Sequence, residues 1–163
     1  MFANELKLFA FVVEYAKMLT AELSEEQMRH VPAPGMNPPI WILGHITIAM
    51  DYALKMAGRG FLCPKEWHVD FGPGSKPLQN IPGLPTKAQL LGTLEKTRDA
   101  LLESVPSISA EQMAQPSFLE QFRPLIDTQG HLLAHLLTTH PAIHLGQLSA
   151  WRRLVGLGPV LPL

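Results

Sequence analysis

The sequence has a single cysteine, Cys63, so it can form no intramolecular disulfide and contains no Cys-x-x-Cys redox or metal motif. Charge is scarce. Asp, Glu, Lys and Arg together make up 17% of residues, and 13 basic side chains face 14 acidic ones for a formal charge of -1. No run of basic residues breaks that balance, which removes the electrostatic footprint of a nucleic-acid binder and any basic patch for a membrane surface. Long apolar runs are missing too. The stretch Leu8–Val13 is bounded by Glu5 and Glu14, has no clean small-residue cleavage site behind it, and falls far short of the ~18 residues of a membrane span. A cytoplasmic location is therefore expected. No segment alternates with period two, so β-structure is expected to be negligible.

The 163 residues suit one domain covering 1–163. Fifteen prolines and 12 glycines gather around 31–39, 58–85, 106–124 and 156–162. Between these groups the apolar period is helical, which predicts helices at roughly 3–22, 38–57, 86–104 and 127–156. Thr86-Lys87-Ala88-Gln89 has the form of a capping box for the third, and Gly156, Gly158 and Pro159 would stop the fourth. The hexad Leu23–Met28 recurs as Ile108–Met113, and each copy reads as a Ser-x-x-Gln box opening a short extra turn. Two helical hairpins packed together make an all-α four-helix bundle, with a long connection between the second and third helices.

Seven histidines stand out, four of them in the last predicted helix. His131/His135 and His140/His144 are both i,i+4 pairs, which place two imidazoles on one helix face at a spacing that suits a metal ion. On a helical wheel with His131 at zero, His140 and His144 fall at about 180° and 220°. The apolar residues Leu133, Leu136, Leu137, Ile143, Leu148, Trp151, Leu154 and Val155 centre near about 190°. The second pair is thus expected to face inward, and His131, His135, Arg152 and Arg153 outward. In the second helix His45 and Tyr52 lie on the shoulder of the buried side, with Thr47, Asp51 and Lys55 on the wet side. Three unpaired imidazoles are costly to bury, so His45, His140 and His144 point to a divalent-metal site built on facing helices. The pair is no zincin motif, because His140-Pro141-Ala142-Ile143-His144 has Pro141 where a metalloprotease has its general-base Glu. Pro141 is also expected to bend the helix, having no N–H for the carbonyl of Leu137.

Pro39-Ile40-Trp41-Ile42-Leu43-Gly44-His45, followed by His140-x-x-x-His144-x-Gly146-Gln147 and Arg152-Arg153-Leu154, resembles the DinB/YfiT-like superfamily, especially its second DinB-like branch. The resemblance spans nearly the whole chain. It implies a four-helix bundle, usually dimeric, whose three histidines hold a divalent metal, commonly zinc or nickel; by position these are His45, His140 and His144. It further implies kinship with metal-dependent thiol S-transferases and isomerases that use low-molecular-weight thiols. Pro141 departs from the Glu that many relatives carry between the two histidines.

Around this centre Gln147 is expected on the buried side, within reach of a ligand ring or a metal-bound water. Trp41, one turn before His45, would wall the site, and Tyr52 would reach a substrate. Glu66, Trp67, His68 and Asp70 read as a solvated loop. Cys63 lacks the charged neighbours that would activate a thiol. A homodimer is expected from the apolar excess and from Phe61, Trp67 and Phe71 in the long connection. Three functions compete: a metal-dependent thiol transferase or isomerase, a non-catalytic metal- or ligand-binding stress protein, and a metal-dependent hydrolase needing Asp51, Asp127 or Glu66 nearby. The thiol reading tolerates Pro141, since a metal ion itself deprotonates a bound thiol.

Overall fold

The computed structural model describes residues 1–75 and 83–161. Four long helical arms carry it: α1 (Ala3–Thr20), α3 (Pro39–Met56), α5 (Lys87–Ser104) and a broken pair, α7 (Gln129–Leu137) and α8 (Thr139–Leu154). Three short helices decorate the connections: α2 (Glu25–Arg29), α4 (Lys65–Asp70) and α6 (Ala110–Ala114). Among the described residues the only extended pairing is one isolated bridge between Pro116 and Thr128.

The starts of these helices follow local chemistry. Pro39 opens α3, where a missing N–H leaves nothing unsatisfied. Thr86 and Gln89 close a full capping box on α5, as do Ser24 and Gln27 on α2. At α6 the box is only half made. Ser109 accepts from Gln112 N, but the Gln112 side chain turns away to donate to Met56 O at 2.7 Å, tying α6 to the end of α3.

The packing order is not the chain order. α1 packs on α5 and α8, while α3 packs on α5, α7 and α8. Successive long helices α1 and α3 therefore sit across the bundle diagonal. α3 is the central element: Ile40, Ile42, Leu43, Ile46, Met50 and Leu54 are each at most 1% exposed. A helix apolar nearly all round belongs in the middle of a core.

Four expectations are corrected here. The predicted 127–156 helix is two helices, broken at Thr138 (φ -130°, ψ -78°), whose hydroxyl donates to Ala134 O. The bend thus precedes Pro141, which falls in the first turn of α8 where no intrahelical acceptor awaits its N–H. Because the axis changes at the break, angles carried across it mislead. Ile143 and Leu154 are exposed, and Arg152 is 3% exposed. The Arg152 guanidinium donates to Leu19 O, Glu22 and Gly158 O, clasping α8, the end of α1 and the tail. Thr47 and Asp51 are fully buried rather than wet, because the 60–71 segment folds back over that face. Leu62 and Cys63 donate their backbone N–H groups to Asp51, and the Cys63 thiol donates to Thr47 O. Within the same segment Phe71 is fully buried, so it cannot serve as an exposed dimer contact.

Candidate metal centre

α3 brings Trp41 and His45 to one face, one turn apart, and the first two turns of α8 bring His140 and His144 opposite them. Each of the three histidines offers a ring nitrogen, and these atoms lie within 4.8 Å of one another. His140 Nε2 is 3.2 Å from His45 Nε2. The His144 ring centroid is 4.6 Å from that of His45 and 4.7 Å from that of His140.

Two of the rings are held by their far nitrogens. His45 Nδ1 sits 2.8 Å from the carbonyl of Phe71, and His144 Nδ1 is 3.1 Å from Gln147 Oε1. A carbonyl oxygen can only accept, so each Nδ1 carries the proton and each Nε2 presents a lone pair. This is the tautomer a ligating imidazole needs. Burial lowers the proton affinity of all three. His140 falls to about 3, first through desolvation and then through its neighbours His144 and His45. His45 and His144 shift the same way, again chiefly by desolvation. The rings are neutral donors at physiological pH.

The residues fit a cation. His140 Nδ1 is buried without a partner, and His140 Nε2 meets another ring nitrogen. Nitrogens bound to one tetrahedral zinc at ~2.0–2.1 Å lie about 3.3 Å apart, close to the observed approach. In the metal-free chain a proton on His140 Nε2 can bridge to His45 Nε2, which leaves the His140 Nδ1 lone pair buried and bare; a divalent ion would replace that single bridge with bonds to all three rings.

The site is walled by packing. The Trp41 ring stacks on His45 at 4.7 Å between centroids, and its indole N–H donates to Ser75 Oγ. Phe71 lies flat against Gly44, where an added Cβ would meet the phenyl ring at 2.5 Å. That close approach lets the Phe71 carbonyl reach His45. Gln147 is exposed rather than buried, yet it touches His144.

A cavity of about 370 Å³ opens from His45 and His140 towards Tyr52, Phe118 and Phe122. Tyr52 is thus at the cavity mouth and not against the histidine cluster. His135, expected to point outward, lines the cavity, its ring centroid 5.6 Å from that of His140; the break at Thr138 turns it there. His131 remains outside, paired with Asp127.

A second polar group faces the cavity. His68 lies on α4 rather than in a solvated loop, and its Nε2 is 2.8 Å from Asp51 Oδ2. Asp51 already accepts two backbone N–H groups, so it is committed and offers nothing to the histidine cluster. Burial and the Asp51 carboxylate push the Cys63 thiol well above its ordinary range, which rules it out as a ready nucleophile. Glu66 is exposed. Sequence reasoning did not find Phe71, His135 or the Asp51–His68 pair; the one available signal was Gly44 beside His45, a missing side chain next to a candidate ligand.

Residues 9–148 match the family model of the DinB superfamily. A crystal structure described as a conserved protein from Enterococcus faecalis superposes with a TM-score of 0.71 at 17% identity, covering 95% of this chain and 96% of the other. That likeness is one of fold. No curated protein matches the chain. Among the described residues no helix is long and apolar enough to cross a membrane.

Proposed function

The chain belongs to the DinB superfamily, and from that membership and the histidine geometry we propose that His45, His140 and His144 hold one divalent cation, zinc or nickel, in a thiol transferase or thiol-dependent isomerase. The observation that carries the reading is the pair of facing nitrogens, His140 Nε2 against His45 Nε2 at 3.2 Å, beside an orphaned His140 Nδ1. Three protein ligands leave a coordination position open, the pattern of catalytic rather than structural sites. When bound there, the ion lowers the proton affinity of a coordinated low-molecular-weight thiol so that its sulfur is a nucleophile at neutral pH.

The chain's own residues prepare that chemistry. Phe71 and Gln147 fix two imidazole tautomers, so the lone pairs need no rearrangement on binding. Trp41 shields His45 from solvent on one side, and the apolar cavity receives the acceptor on the other. Among the described residues no carboxylate is free beside the cluster to act on a water, since Asp51 is spent on two amides and His68. Thiol chemistry asks for no such base, which favours it over hydrolysis.

Metal content per chain, measured on purified protein beside a His144→Ala variant, tests the centre. One equivalent in the wild type and a loss of most of it in the variant is expected; equal content in both would refute the assignment. Incubation with a thiol panel and monobromobimane, with and without chelator, then tests the reaction. Conjugation that is chelator-sensitive and lost in His45→Ala supports it, and conjugation indifferent to chelator does not.

A further inference from the structure

The cavity beside the histidines has an uneven lining. Ile48, Ala49, Leu132, Leu136 and Ile126 make its walls apolar, and Tyr52, Phe118 and Phe122 ring its mouth, each about half exposed. Its volume, about 370 Å³, lies within the ~300–1,000 Å³ typical of small-molecule sites. Rings left partly open at a mouth have unused faces, and aromatic pairs add stabilisation beyond burial alone. Tyr52 already makes edge contacts with Phe61 and His68 at 5.8 and 5.9 Å, so the rim is an assembled aromatic cluster.

Among the polar side chains of this lining, which also include Gln121 and His135, His68 is conspicuous for how firmly it is held. Its ring stacks on Phe61 at 4.9 Å between centroids, and its Nε2–H donates to Asp51. Asp51 is fully buried and pinned by two backbone amides, so the orientation of His68 is imposed from the core. His68 Nδ1 has no hydrogen-bond partner among the described residues and is not sealed from solvent. An imidazole so fixed offers one directional polar contact to whatever fills the cavity.

We propose that this cavity binds a small planar aromatic molecule carrying one hydroxyl, its rings between Tyr52, Phe118 and Phe122 and its hydroxyl on His68. A hydroxyl can both donate and accept, so it suits Nδ1 whether His68 is neutral or charged. The rings take up the apolar walls that would exclude a sugar, a phosphate or a free amino acid. As the acceptor of a thiol such a phenol-like molecule rests on the metal reading above; its binding to the cavity does not.

The probes are 2-naphthol and naphthalene, titrated fluorimetrically into full-length protein freed of metal by chelator. Saturable binding of 2-naphthol at one per chain is expected. Phe118→Ala removes an exposed ring without touching the core and should weaken both probes at least fivefold. His68→Phe keeps the stack on Phe61 but loses the polar contact, so 2-naphthol should weaken about tenfold and naphthalene less than twofold. Ala49→Phe, filling the cavity floor, should abolish both, with circular dichroism verifying the fold. No saturable binding below millimolar concentration overturns the proposal, including the case in which the chain sediments as a dimer and a second copy covers the rim. Equal losses for both probes in His68→Phe overturn the hydroxyl contact. Metal content, measured on the same preparation before the chelator is added, separates the two readings: naphthol binding by protein purified without metal sinks the metal centre alone, and metal without naphthol binding sinks this proposal alone.

Discussion

His140 is the imidazole whose protonation the fold opposes most, and acid is where that opposition becomes measurable. In the unfolded chain it takes a proton near 6.5, and in the folded protein only near about 3. Between those values the unfolded chain binds more protons than the folded one, so stability rises with pH across that window. It is therefore complete above about 6.5 and is lost progressively as pH falls towards 3. His45 and His144, also lowered, add in the same sense. The metal-free protein should lose several degrees of Tm between pH 7 and pH 4, and His140→Gln should flatten that slope while lowering metal content. A variant with an unchanged slope would show that other groups control the acid response. At this scale the histidine trio was readable because i,i+4 spacing and a buried wheel face are local properties. The Phe71 partner of His45 and the His68 partner of Asp51 were not, since a wheel knows nothing of chain that returns 26 or 17 positions later.

Helices and their joints decide how firmly the trio is held. Phe71, the residue that ends α4, meets α3 where no side chain is allowed, its ring lying against the bare Cα of Gly44. A methyl there would push the phenyl ring out and carry its carbonyl away from His45 Nδ1. Gly44→Ala is expected to destabilise the fold by about 1–3 kcal/mol, as overpacked cores do. It should also weaken metal binding at least tenfold, read by competition with a chromophoric chelator, since outer partners of ligating histidines are worth roughly 10–100-fold in affinity. Retained affinity in a destabilised variant would show that His45 keeps its place without Phe71. Four helical arms could be read from proline and glycine punctuation, and so could the caps at Ser24 and Thr86. The break at Thr138 could not. No glycine or proline marks it, and the residue that looked like the breaker, Pro141, sits comfortably in a first turn. Asp51 and Thr47 misled for a related reason: polar side chains on an outward stripe read as wet, yet the Asp51 carboxylate accepts from the backbone of a covering segment and the Thr47 hydroxyl donates to Leu43 O within its own helix.

Across the whole molecule, diagonal placement of α1 and α3 leaves α3 in contact with α5, α7 and α8, so its inner surface is available to the last helix of the chain. The Arg152 clasp then fastens α8 to the end of α1 and to the tail, so the helix bearing His140 and His144 is anchored at its C-terminal end. His45 and His140, whose Nε2 atoms lie 3.2 Å apart, are separated by 95 positions in sequence. Closing a loop of that length is entropically expensive, and nothing rewards it until the helices have docked. The centre should therefore be absent from the folding transition state and complete only in the native protein. An ion recognised solely by the native state stabilises it by about 2.7 kcal/mol at a hundredfold excess over its Kd. That gain should come entirely from slower escape: added zinc is expected to lower the unfolding limb of a denaturant chevron by about 100-fold while leaving the refolding limb where it was. A refolding rate that climbs with zinc would mean the two ends of the chain meet early, and that the ion acts as a nucleus instead of a lock.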